Sequence, residues 1–153
     1  MATLTLPRGN SATAEYLETT QRQYKNHFHS SAALSKQSAH NELFSILEKC
    51  SKQNWDGYDA LPVQGVAAQT AYELIEALPL ETPLPSVGAE PDGSITLEWY
   101  RHPRWILSVS VNSTATTYYA ALFGLEKASG AVPFLEEFPA TLLNLIQRFQ
   151  MHD

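Results

Sequence analysis

The amino-acid sequence predicts an α+β domain: an antiparallel meander of three to four strands, with two helices before it and one after it, packed on one face. Three observations carry this. Apolar residues recur at helical spacing in two stretches before residue 79, alternate strictly with polar ones between Ile95 and Val111, and return to helical spacing near the C-terminus. A chain of 153 residues and 17.0 kDa has the size of one such domain.

Residues 1–36 are rich in Ser, Thr, Ala and Gln, with Pro7-Arg8-Gly9-Asn10 as a break. They read as a flexible or partly helical arm ahead of a single domain over 37–153. Within the arm only Tyr16, Leu17, Tyr24 and Phe28 could line a helix between Ser11 and Phe28. A firmer helix is predicted from about Ala39 to Lys52, where Leu43, Phe44, Ile46, Leu47 and Cys50 share one face. Ser38 is its candidate N-cap, and Lys49 and Lys52 suit the negative end of the helix dipole. A second helix runs from about Pro62, which suits a first turn, to Leu78 on one broad face of Val63, Val66, Ala67, Thr70, Ala71, Leu74, Ile75 and Leu78. Pro79, Pro83 and Pro85 end it and keep the chain extended.

Ser86–Glu90 is a weak strand, and Pro91-Asp92-Gly93-Ser94 is a turn whose glycine supplies positive φ. Ile95–Tyr100 and Trp105–Val111 then alternate. Pairing Trp99 with Trp105 and Leu97 with Leu107 keeps both apolar sets on one side and leaves a five-residue loop, Tyr100–Arg104. Thr116–Gly124 reads as a strand with large residues on both faces, so the pattern leaves its inner face unassigned. Gly130 breaks the chain, and Phe138, Leu142, Leu145, Ile146 and Phe149 mark a helix beginning near Pro139. A sheet covered on one side leaves Thr96, Glu98, Ile106, Ser108 and Ser110 on the other, where a protein partner or a second copy could dock.

The net charge of −6 and pI near 5.3 argue against direct nucleic-acid binding, which draws on Lys and Arg to neutralise phosphates. Charge is uneven. The first forty residues carry four cations against two carboxylates, a net +2, which leaves −8 for the rest. The lone Cys50 allows no intrachain disulfide and reads as a small buried hydrophobe. With no apolar signal core and no run long enough to span a bilayer, a cytoplasmic protein without membrane contact is expected.

The densest chemistry lies between the first two helices, in Asn54-Trp55-Asp56-Gly57-Tyr58-Asp59. In one reading Trp55 and Tyr58 staple the loop to the core while Asp56 and Asp59 bond to turn amides. In the other, Asp56 and Asp59, joined by Glu98, form the carboxylate pair of a small hydrolase or a metal-dependent enzyme, with Tyr58 as a donor. Trp55, Asp56 and Tyr58 are also candidate binding residues, as are Arg101, Arg104 and Trp105, which gather cations and an aromatic at a hairpin tip. His27, His29 and His40 lack the spacing of a structural zinc site, so they read as exposed and no metal is expected. The glycines stand apart, so the phosphate-cradling and dinucleotide patterns are missing, as is the serine elbow; no cofactor is expected.

Asn-Trp-Asp-Gly-Tyr at 54–58, with Pro62 downstream, and Pro91-Asp92-Gly93-Ser94-Ile95-Thr96-Leu97-Glu98-Trp99 together resemble a group of small bacterial proteins of uncharacterised function, in which the two blocks stand at similar separation. The resemblance covers about residues 54–111. In that group a glycine is frequent where this chain has Asp59. The resemblance implies a bacterial or phage-borne cytoplasmic protein and transfers no catalytic residue. The expectation is a non-enzymatic interaction or regulatory module with a protein partner, a homodimer being a further arrangement that the exposed sheet face permits.

Overall fold

The spacing folds largely as it reads. The computed structural model describes residues 36–114, 116–134 and 137–151, within one compact unit, Ser35–Asp153. The arm expected over 1–36, with the helix expected between 11 and 28, lies outside the described residues, Lys36 excepted. Among the described residues helix α1 covers 36–49, and α2 spans Gly65–Ala77. Strands β1 (Ser86–Ala89), β2 (Ile95–His102), β3 (Trp105–Val111), β4 (Thr116–Phe123) and β5 (Glu126–Pro133) follow, and α3 (Ala140–Gln150) closes the order. The strands form one antiparallel meander in sequence order.

Alternation sends Ile95, Leu97 and Trp99 from β2 and Leu107, Val109 and Val111 from β3 to the same buried face. They meet Leu74 and Ile75 of α2 and Leu142 and Ile146 of α3, all nearly inaccessible. Each such side chain contributes roughly 1.5–3 kcal/mol by leaving water. The two buried indoles also satisfy their polar atoms: Trp99 Nε1 donates to Pro83 O at 2.7 Å and Trp105 Nε1 to Phe149 O at 3.1 Å. The second bond ties the end of α3 to β3.

Four expectations need correction. The sheet has five strands; Gly130 lies inside β5 and does not end the chain's regular structure. A Cβ there would sit 2.7 Å from Tyr119 Oη, so glycine lets the Tyr119 ring cross β5 on the core side. The β2–β3 register is two residues away from the expected one: Trp99 faces Leu107, and Leu97 faces Val109. A two-residue slip preserves the faces, and the tight Pro103–Arg104 turn with an irregularity between Tyr100 and His102 decides it. Helix α2 starts at Gly65, not Pro62: Gln64 is still extended at φ −82° and ψ 140°, and Leu61, Val63 and Gln64 give their amides to Pro91, Cys50 and Gly93. Helix α1 already includes Ser38, which is therefore not its cap, and ends before Lys52.

Candidate functional site

The 54–60 loop is a chain of self-made hydrogen bonds. Asp56 Oδ1 accepts the amides of Tyr58 (2.8 Å) and Ala60 (3.1 Å), Asn54 Oδ1 accepts that of Asp59 (2.7 Å), and Asn54 N donates to Ala60 O (2.7 Å). The Trp55 indole donates to Leu61 O at 2.8 Å. Asn54, Gly57 and Asp59 hold φ of 62°, 79° and 67°, the left-handed region that Asn, Gly and Asp tolerate best. Asp59 thus occupies a position that glycine fills without strain. Tyr58 does not staple the loop; its side chain is 90% exposed.

The two sequence blocks meet in space. Leu61 N donates to Pro91 O at 2.8 Å and Gln64 N to Gly93 O at 3.0 Å. Gly93 has φ 88°, and a Cβ on it would fall 2.9 Å from Pro62 O. Beside it, Asp92 Oδ1 accepts the Ser94 amide (3.0 Å) and hydroxyl (2.5 Å), and these bonds hold its carboxyl below the usual carboxylate range. One hydrogen-bonded junction therefore joins the loop to the turn.

The candidate carboxylates are spent separately. Asp56 serves the loop amides, Asp59 Oδ1 accepts from Gln53 Nε2 at 3.3 Å, and Glu98 Oε2 accepts from Ser108 Oγ at 3.4 Å on the helix-free face. No described hydrogen bond links any two of them. Among the described residues no group of three His, Cys, Asp or Glu is arranged to hold a metal. His27 and His29 lie outside the described residues. His40 is not exposed but 5% accessible, bonded through Nε2 to Glu76 Oε1 at 2.5 Å and stacked on Tyr72 at 4.1 Å. Burial pushes the Cys50 thiol up, with Lys49 opposing weakly.

The Arg101–Trp105 cluster divides. Arg101 and Arg104 are exposed, whereas Trp105 alternates into the core against Phe123 at 4.9 Å. Arg101 lies over the Phe149 ring at 5.3 Å; Arg148 lies over Phe123 at 5.2 Å and pairs with Glu126. Of the seven cations in described positions, Arg101, Arg104, Lys127 and Arg148 gather at the end of the sheet where the β2–β3 and β4–β5 turns meet through Gly124 N and Arg104 O.

The face of the sheet opposite α2 and α3, free of helices among the described residues, gathers apolar side chains from three strands. Tyr100, Ile106 and Leu122 are lateral neighbours across β2, β3 and β4, and Tyr118 lies across from Ser110. Tyr100 is 56% and Tyr118 48% exposed; Ile106 and Leu122 are half-buried. Thr96, Glu98, Ser108 and Ala120 fill the space between. Alternation from Glu98 gives Tyr100, but Tyr118 and Leu122 needed the inner face of β4, which buried Thr117 and Phe123 define. Comparisons with protein-family models, with curated proteins and with solved structures give no match.

Proposed function

We propose that this chain is a non-enzymatic protein-interaction module, of the bacterial or phage-borne kind that its paired blocks resemble, and that it binds a protein partner through the helix-free face of its sheet. The supporting observation is the set of exposed Tyr100 and Tyr118 and half-buried Ile106 and Leu122 beside the carboxylate of Glu98. Aromatic residues are favoured at the centres of interfaces because they bury much area at little entropic cost. The partner that fits brings apolar side chains to Tyr100, Ile106 and Leu122 and one Lys or Arg to Glu98, where a charge-assisted bond fixes the docking register. In this reading the 54–60 loop is scaffold: its carboxylates hold backbone that joins the helices to the sheet.

The test is co-purification from the host with the full chain, comparing wild type with Ile106→Asp and with Asp56→Asn. The reading expects a stoichiometric protein that is lost with Ile106→Asp and kept with Asp56→Asn. Capture unaffected by Ile106→Asp refutes it, as does substrate turnover abolished by Asp56→Asn.

A further inference from the structure

The two edges of the sheet are treated differently. β1 is four residues long, and its outward Val87 amide is already taken by Glu42 Oε1 of α1 at 3.0 Å. β5 is eight residues long, pairs with β4 without a bulge, and is exposed at every position except the half-buried Val132. Natural edges are protected by shortness, charge, proline, bulges or cover. β5 has Glu126, which pairs with Arg148, then Lys127 and a terminal Pro133, and among the described residues nothing hydrogen-bonds to its outer backbone.

The groups it presents follow from its turn. Phe123 and Glu126 flank the two-residue loop Gly124–Leu125, with Gly124 at φ 70°, so they form a mutually bonded pair. Alternation then turns the N–H and C=O of Lys127, Ser129 and Ala131 away from β4. We infer that β5 is a self-association edge, pairing antiparallel with β5 of a second copy about a two-fold axis at Ser129 to make a continuous ten-stranded sheet.

A second copy is the occupant because the pattern is self-complementary, most fully about Ser129: centring on Ala128 pairs fewer outward residues, and centring on Gly130 sets Pro133 against Lys127. Centred on Ser129, each Lys127 faces the partner's Ala131, Ser129 faces the partner's Ser129, and about six backbone bonds form with no like charges opposed. Centring on Lys127 would oppose two lysines; centring on Ala131 would set Pro133, which has no N–H, against Ser129. Ala128, Gly130 and Ala131 add no bulk to keep the strands apart. The helices leave the middle of the edge open, since α2 packs on β2 and β3 and α3 on β3 and β4, α3 meeting β5 at its first residue through the Arg148–Glu126 pair. A two-fold normal to the sheet leaves both helix-free faces on one side, so the dimer would present two copies of the proposed partner surface together.

The inference stands apart from the partner reading, and sedimentation of the full chain over a wide dilution series tests it. Wild type is expected to rise from 17.0 kDa towards twice that mass. Ser129→Lys sets two cations opposite each other from a solvent-facing position and should stay monomeric. Ser129→Pro removes an outward N–H without breaking the β4 ladder and should do the same. Ile106→Asp should still dimerise. A wild type that stays monomeric at every concentration overturns the inference, and so does a dimer that persists in folded Ser129→Lys or is lost in folded Ile106→Asp.

Discussion

Replacing Asp56 by Ala removes a carboxylate oxygen that accepts two backbone amides, from Tyr58 at 2.8 Å and from Ala60 at 3.1 Å. Hydrogen bonds to charged groups contribute about 1.5–3 kcal/mol each when sheltered. Asp56 is only half-buried and the loop is washed by solvent, so the lower end applies. A side chain that holds orphan amides at a helix start is a close analogue, and its loss costs about 1 kcal/mol. Both bonds together then amount to about 2 kcal/mol, which in a chain of this size lowers the melting temperature by roughly 8 °C. Asp56→Asn keeps Oδ1 as an acceptor and loses only the charge, so it should cost about half as much. Thermal unfolding followed by circular dichroism measures both. An Asp56→Ala protein that melts within about 2 °C of wild type, less than 1 kcal/mol at this size, would refute the bracing role and return Asp56 to the functional candidates.

Three further outcomes follow from the same junction and core. Gly57→Ala meets no atom within 4 Å and should cost about 1 kcal/mol for its left-handed φ, whereas Gly93→Ala also drives a Cβ into Pro62 O and should cost at least about 1 kcal/mol more; chemical denaturation of both compares them. Asp92 has a depressed folded pKa, so its stabilisation is complete above the ordinary carboxylate value and is lost as pH falls through the lower folded one; the stability gap between wild type and Asp92→Ala, present at pH 7, should close across that acid window. Because burial raises the Cys50 thiol, a thiol-specific reagent at mildly alkaline pH should label the native protein slowly and the unfolded protein fast, and equal rates would contradict its placement.

Much of the fold was legible because its periodicities are strong. The Ile95–Val111 alternation identified β2 and β3 and their inner faces, and the Leu142, Ile146 and Phe149 stripe identified α3. What was missed depended on contacts between distant residues. The strand Glu126–Pro133 has almost no apolar alternation, and its glycine makes sense only once the Tyr119 ring lies across it. The β2–β3 register could not be read from faces, because a slip of two leaves every face unchanged; the Pro103–Arg104 turn fixes it. Helix α2 starts late because the chain stays extended through Gln64, where Leu61, Val63 and Gln64 bond to Pro91, Cys50 and Gly93.

The candidate site shows the same division. The internal bonding of Asn54–Ala60 followed from its residue types, and the structural reading of Asp56 matches its bonds to Tyr58 and Ala60. Trp105 belongs in the sequence both to the apolar alternation of Leu107 and Val109 and to the cluster with Arg101 and Arg104, and the structure puts it in the core with the first. His40 was placed at the surface because single-sequence polarity cannot show that Tyr72 and Glu76 of α2 come to cover it.

The central claim is that the sheet's helix-free face is the working surface and the 54–60 loop its brace. Hydrogen exchange of the full chain, free and with its co-purified protein partner, addresses that claim directly. The account predicts added protection at Tyr100, Ile106, Tyr118 and Leu122, with exchange across Asn54–Ala60 unchanged. Protection centred on Trp55–Asp59, with β2–β4 unaltered, would contradict it.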